Sequence, residues 1–327
     1  MSPRVKLLLG LAVGIAVVAA GTAVPYVVHD TYTMTLALQA ALLSMLALGI
    51  GFLARHLGLI SLGHTAFFGG AAYSVGIAVN RWGWSPTQAV LFAIVVGTVL
   101  SLIMGVLVVR ASGMGFLMLT LALSQALYAL CLQTSFRPLT GAHDGLLISF
   151  DQQTSFLGLS PADTQNPGLF WPMVWLALML AAIGLWLLGR SRFGTVLEGI
   201  RENEERMRFS GYNTFLPRLA AFVLSGLVAA VGGALFALNA GYISPDILGF
   251  ARAGDSLIAS LIGGLGTLAG PLIGTALFVW AQAQLNVGGN LHLFTGIALI
   301  VVLVFMPGGI TGTIQRTVKR LRRRARR

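Results

Sequence analysis

The side chains in this 327-residue chain best suited to chemistry are uncharged polar groups set within apolar segments. Ser61, His64 and Thr65 share one such segment, and Thr120, Ser124 and Gln125 share another. Hydroxyl, imidazole and amide groups can hydrogen-bond a polar solute without placing a fixed charge in hydrocarbon. Such a set suits light contact along a path better than tight binding. The same residues also fit a packing role. Ser61, Thr65 and Gly69 recur every fourth position, as do Ser225, Ala229, Gly233, Ala237 and Gly241, and small residues at that spacing let helices approach closely. His64 therefore has two readings, a contact for a solute or an interhelical hydrogen-bonder.

The residue sets that usually carry catalysis are missing. His29, His56, His64, His143 and His292 show neither H-x-x-x-H nor H-E-x-x-H spacing, so no metal is expected. Neither Lys6 nor Lys319 follows a glycine, which removes the P-loop pattern; any ATP must be hydrolysed by another chain. Cys131 stands alone, cannot form an internal disulfide and reads as a small buried hydrophobe. The expectation is a chain that is not an enzyme and carries no cofactor.

The elements that must position these groups are membrane helices. Hydrophobic residues make up 56% of the chain and charged residues 9%, far from the quarter charged of soluble domains. Apolar segments run over 7–28, 31–54, 56–80, 86–109, 111–136, 170–189, 219–243, 256–285 and 293–306. None of these spans contains Asp, Glu or Lys, and none contains an internal Arg. The segment at 256–285 carries Gly263, Gly264, Gly266 and Gly270-Pro271, which weaken helix and remove a backbone donor. The expected fold is all-α and polytopic, with about eight transmembrane helices plus one broken or re-entrant Gly-rich segment. Residues 1–310 form the membrane domain and 311–327 a basic tail.

Counting basic residues in the loops sets the expected orientation. With both termini cytoplasmic, the inside holds Arg4, Lys6, Arg55, Arg110, the six arginines of the loop at 190–218 and the basic tail. The outside holds only Arg81, Arg137 and Arg252, with acids such as Asp144, Asp163, Asp246 and Asp255. The net charge of +11 is then an anchor against the lipid bilayer rather than a nucleic-acid site.

Several blocks in order carry a family resemblance. They are Gly58 through Gly69 (GLISLGHTAFFG), Leu119 through Gln125 (LTLALSQ), Thr140 through Leu146 (TGAHDGL), Phe193-Gly194 with Ile200 through Glu204, Ala221 through Gly226 (AFVLSG), Ile243-Ser244-Pro245 and Gly263 through Pro271 (GGLGTLAGP). Together they resemble the LivM branch of the branched-chain amino acid ABC permeases. The resemblance implies a subunit of a bacterial inner-membrane importer. Its partners would be a second, LivH-type permease, two cytoplasmic ATP-binding subunits and a periplasmic substrate-binding protein. It implies branched-chain or related amino acids as substrates, although relatives carry urea or amides.

The loop at 190–218 fits that role. Importer permeases dock on their ATPases through a helix of the form E-A-A-x-x-x-G, and here Glu205 precedes Gly211 by six residues, with Arg206 and Met207 in place of the alanines. Glu202, Glu205 and Gly211 are the expected coupling residues. A solvated amphipathic helix with pairs such as Glu202 and Arg206 is the plainer alternative. For the whole chain the rival reading is a passive channel for small polar solutes, with the Gly-rich segment as its filter.

Overall fold

The computed structural model describes residues 14, 16–151, 154–285, 296–297 and 308–313. The segment expected at 293–306 and the tail beyond 313 lie almost wholly outside these residues, as does the start of the segment at 7–28. The described part is an all-α membrane bundle. Its longer helices are α1 (Thr31–Leu57), α2 (His64–Trp82), α3 (Pro86–Val108), α4 (Gly113–Leu132), α5 (Pro167–Arg190), α6 (Arg192–Glu202), α7 (Glu204–Phe209), α8 (Phe215–Ala240), α9 (Phe250–Gly263) and α10 (Ala269–Leu285). Among the described residues, α1, α3, α4, α5 and α8 are long and apolar enough to cross a membrane.

Local chemistry places several of the boundaries. Asp30 caps α1 by accepting from the Thr33 amide, Ser85 and Gln88 close a capping box on α3, and Asn203 caps α7 by accepting from the Arg206 amide. Gly58, Gly83 and Gly241 end α1, α2 and α8 in the left-handed conformation that glycine adopts freely.

Helices α1, α2, α3 and α8 form the centre, with α2 packed against both α3 and α8. The small-residue faces do the packing: a Cβ at Gly233 would collide with the Phe68 carbonyl of α2, and one at Gly226 with Ser101 of α3. Opposite the loop at 190–218, Leu146–Leu147 (β1) pairs antiparallel with Tyr242–Ile243 (β2), Leu146 facing Ile243. Tyr242 donates its hydroxyl to the Asp144 carbonyl at 2.9 Å, and Thr140 donates to the Cys131 carbonyl at 2.7 Å. The TGAHDGL block is thus tied to the ends of α4 and α8.

Two features differ from the sequence expectation, and one agrees with it. His56 closes α1 instead of opening the next span, and residues 58–63 leave helical geometry while remaining largely buried. Local side chains meet some of the freed amides there: Leu62 donates to Thr120 Oγ1 at 3.2 Å and Gly63 to Ser61 Oγ at 3.2 Å. The segment at 256–285 is broken and turns back on itself as expected, forming an antiparallel hairpin. Gly263 lies against Gly270, and Gly274 against Ala259. At about 1.5 Å per residue, α9 and α10 span roughly 21 and 26 Å, each less than a hydrocarbon core of about 30 Å. Finally, charges do enter helices of the bundle: α8 includes Arg218, and α9 includes Arg252 and Asp255. Their helices start several residues earlier than hydropathy indicates, because buried partners or a cavity accept the charge.

Candidate functional site

Five of the six polar residues singled out from sequence converge near the start of α2. His64 Nε2 lies 3.1 Å from Ser225 Oγ of α8, and Thr65 Oγ1 lies 3.0 Å from Ser124 Oγ of α4. Thr120 donates to the Leu117 carbonyl at 2.9 Å while accepting from the Leu62 amide. Gln125 stands apart, reaching the Leu248 carbonyl at 3.5 Å. Ser61, His64, Thr65, Thr120 and Ser124 are buried, and their hydrogen bonds are made to one another, to Ser225 or to nearby backbone. Only His64 Nδ1 in this group lacks a partner among the described residues. They form a closed knot joining α2, α4 and α8 and do not line the cavity described below. Packing explains the closure: Gly49 of α1 sits where a Cβ would be 2.7 Å from the Ser225 carbonyl and 3.0 Å from the His64 ring.

At one end of the bundle, the loop at 190–218 folds into α6 and α7, and each grips a different part of the membrane domain. Helix α6 holds the end of α1. Arg201 donates to the Arg55 carbonyl, and Glu198 lies 3.5 Å from His56. Helix α7 holds α8 through Glu204. That carboxylate accepts from Arg218 at 2.7 Å, from Arg208 at 2.6 Å and from the Thr214 hydroxyl at 2.9 Å. Burial pushes the Glu204 carboxyl up, but the Thr214 hydroxyl and the Arg218 and Arg208 guanidiniums outweigh it and hold the carboxyl below its ordinary value. Arg218, buried in the first turn of α8, also donates to the Ala111 carbonyl at 2.6 Å, in the turn between α3 and α4. Arg110 of the same turn lies 5.5 Å from the centre of the Phe215 ring.

The expected coupling residues Glu202, Glu205 and Gly211 are exposed on this loop and make none of those internal contacts. Gly211 has φ of +83° and open space around it. Beside them stand Phe209, 91% exposed, and Tyr212, 53% exposed. Two aromatics held in water by a charged loop are costly unless something covers them. Sequence reasoning missed Phe209 and the part played by Glu204. Phe209 was visible as a large apolar residue in a run of charges, whereas nothing in the spacing separates Glu204 from Glu202 and Glu205.

At the far end of the bundle a cavity of about 430 Å³ is lined by Phe236, Tyr242, Ser244, Asp246, Ile247, Arg252 and Asp255, among others. Asp246 accepts from Ser244 Oγ at 2.8 Å, and Gln282 reaches Asp255 at 3.5 Å. These charges belong to the set counted at the outside; the spacing of three between Arg252 and Asp255 on one helix face was the available signal of a shared site.

The fold defines a class no finer than a multi-helix membrane protein with a folded loop at one end of the bundle and a charged cavity at the other. The family described as "Branched-chain amino acid transport system / permease component" matches residues 32–306, and the chain belongs to that family of ABC transporter permeases. It is 30% identical over 312 residues to the protein named autoinducer 2 import system permease protein LsrC of Yersinia pseudotuberculosis serotype O:1b (strain IP 31758), covering 89% of this chain and 80% of that protein. The protein of the same name from Yersinia pestis (strain Pestoides F) is similar at the same identity and coverage. No solved structure matches the chain. Membership makes this a multi-pass inner-membrane protein and a transport subunit, working with ATPase and substrate-binding partners. The named relatives are autoinducer 2 permeases, so the matches establish the family and not its LivM branch.

Proposed function

We propose that this chain is one of two permease subunits of an importer, docked on ATP-binding subunits by the exposed face of its 190–218 loop, with both termini and that loop in the cytoplasm. The observation that carries the reading is the exposed patch of Phe209, Tyr212, Glu202, Glu205 and Gly211 on a loop whose other face is pinned to the bundle. A hydrophobic anchor ringed by charge is what a soluble partner can grip. The second permease, LivH-type, and a periplasmic binding protein at the far end complete the assembly.

The transported solute is a branched-chain or related amino acid. Supporting this, Arg252, Asp246 and Asp255 line the same far-end cavity as Phe236, Ile247 and Ala251. A zwitterion finds a counter-charge for each of its ends there, and an aliphatic side chain finds an apolar wall. Beyond the cavity the solute passes Gln125 and the knot of Ser61, His64, Thr65, Thr120 and Ser124, which opens during transport. The names of the relatives favour a second reading, import of autoinducer 2.

Purification of the chain from its native membrane tests the assembly. A second permease and an ATPase should accompany it, and Gly211→Asp or Phe209→Asp should shed the ATPase while membrane insertion persists. A homo-oligomer that conducts solute without nucleotide would establish the channel instead. Cysteines at Asn166 and Thr195 in a Cys131→Ser background report orientation: an impermeant thiol reagent on intact cells should reach Asn166 and not Thr195. Uptake of labelled leucine, isoleucine and valine against autoinducer 2 separates the two substrates, and Arg252→Gln should lower uptake of the amino acids.

A further inference from the structure

The docking patch and the polar knot lie on different parts of the chain, and the arrangement of Glu204 connects them. Its carboxylate is bonded to three donors. Arg208 belongs to its own helix α7, whereas Thr214 and Arg218 belong to the start of α8. Arg218 passes the link on by donating its other terminal nitrogen to the Ala111 carbonyl, two residues before α4 begins. Helix α4 carries Thr120, Ser124 and Gln125, and α8 carries Ser225, the partner of His64. One carboxylate and one buried guanidinium therefore join the cytoplasmic helix to two of the three helices that close the knot.

Resting on the importer reading above, we propose that Glu204 and Arg218 are the positioning pair that relays ATPase motion into the membrane domain, pulling α4 and α8 together. Three features argue for a relay rather than plain support. Arg218 is 3% exposed and bonds Glu204 and the α3–α4 turn through different nitrogens, so α7 cannot shift without loading both contacts. The guanidinium is planar, which fixes the angle between those bonds. Glu202 and Glu205, which flank Glu204, have no such bonds and face outward, leaving docking and transmission on separate residues.

The test uses the complete transporter in lipid nanodiscs, with Mg-ATP and vanadate as the probe. Spin labels are placed at Gln133→Cys, just past α4, and Ala240→Cys, the end of α8, in a Cys131→Ser background. In the parent complex nucleotide should shift the label-to-label distance. In Glu204→Ala the shifted population should fall by about tenfold, within the range of about 5- to 150-fold typical of coupling between sites, while the ATPases stay bound. Glu204→Asp, which keeps the charge, should restore most of it. A parent-sized shift in Glu204→Ala overturns the proposal, and so does loss of the ATPases, since Glu204 would then be a docking residue. Arg218→Lys guards against a variant that fails to fold. Its charge remains, but a single ammonium cannot hold the fixed fork to Glu204 and Ala111, so the same fall is expected and an unchanged shift again counts against the relay. A parent chain that brings down no ATPase fails the importer reading and the relay with it; a competent parent with normally shifting variants overturns the relay alone.

Discussion

The knot around His64 and the clasp around Glu204 both link α4 and α8, the knot through α2 and the clasp through the α3–α4 turn, yet they are built from opposite materials. In the knot, neutral hydroxyls and one imidazole bond at 3.0 to 3.1 Å, away from any fixed charge. In the clasp, a carboxylate meets two guanidiniums at 2.6 to 2.7 Å. Charge-assisted bonds are roughly twice as strong as neutral ones, and near an aqueous surface the ions need not be fully desolvated. Deep in the bundle the balance reverses, because an ion there would be expensive and a neutral bond can break and re-form cheaply. The lesson is a division of labour: the clasp holds its shape, and the knot can open.

The most severe way to break that contrast is Arg218→Ala. Removing one partner of a largely buried pair should cost about 3 kcal/mol, seen as a lower thermal midpoint of the purified complex in detergent. Stability like that of the parent would mean the clasp is no stronger than a surface pair.

Acid separates the two ties without mutation. The Glu204 carboxyl is held below its ordinary value of 4.5, so its contribution is fully present above that pH and is lost as pH falls through the lower folded value. A spin label at Phe209→Cys should keep the same mobility from pH 8 to about 5 and loosen only in stronger acid. Loosening near neutrality would show that the carboxyl is not held down.

A smaller effect is expected in the knot. The coupling between His64→Leu and Ser225→Ala in a double-mutant cycle should be about 0.6 kcal/mol, the average for such bonds in membranes. Uptake should nonetheless fall in His64→Leu with the complex intact. Normal uptake would leave His64 as a packing group. The smallest effect belongs to Glu205→Ala, an exposed side chain whose loss should change folding stability by about 0 to 1 kcal/mol. Any sizeable loss of stability there would place Glu205 inside the clasp.

The class of fold was legible from hydropathy, and the break at 264–268 from Gly263, Gly264 and Gly270-Pro271. The convergence of Ser61, His64, Thr65, Thr120 and Ser124 was legible as well, because polar groups in apolar helices must find one another. Their closure was not, since it depends on Gly49 and Gly233 admitting neighbouring backbones, and glycine spacing gives closeness without naming the partner. The buried stretch 58–63 was hidden for a related reason: its residues are as apolar as a helix, and the amides satisfied by Thr120 and Ser61 leave no mark in one dimension. Arg218 was assigned to the loop because a lone arginine beside a hydrophobic run looks like a boundary, and only the Ala111 carbonyl and Glu204 explain its place inside α8.

The α9–α10 hairpin also bears on how the chain sits in its membrane. Helix α9 carries Arg252 and Asp255 in its first two turns, at the far-end cavity, which leaves its uncharged part shorter still. Neither half is long enough to be handed to lipid alone, but Gly263, Gly270 and Gly274 let the two backbones close on each other. Ser260 then meets the Ala47 carbonyl of α1 at 3.5 Å, and a Cβ on Gly51 would crowd Pro271. In the finished bundle the two short halves thus act as one membrane unit, seated against α1 rather than each facing lipid alone.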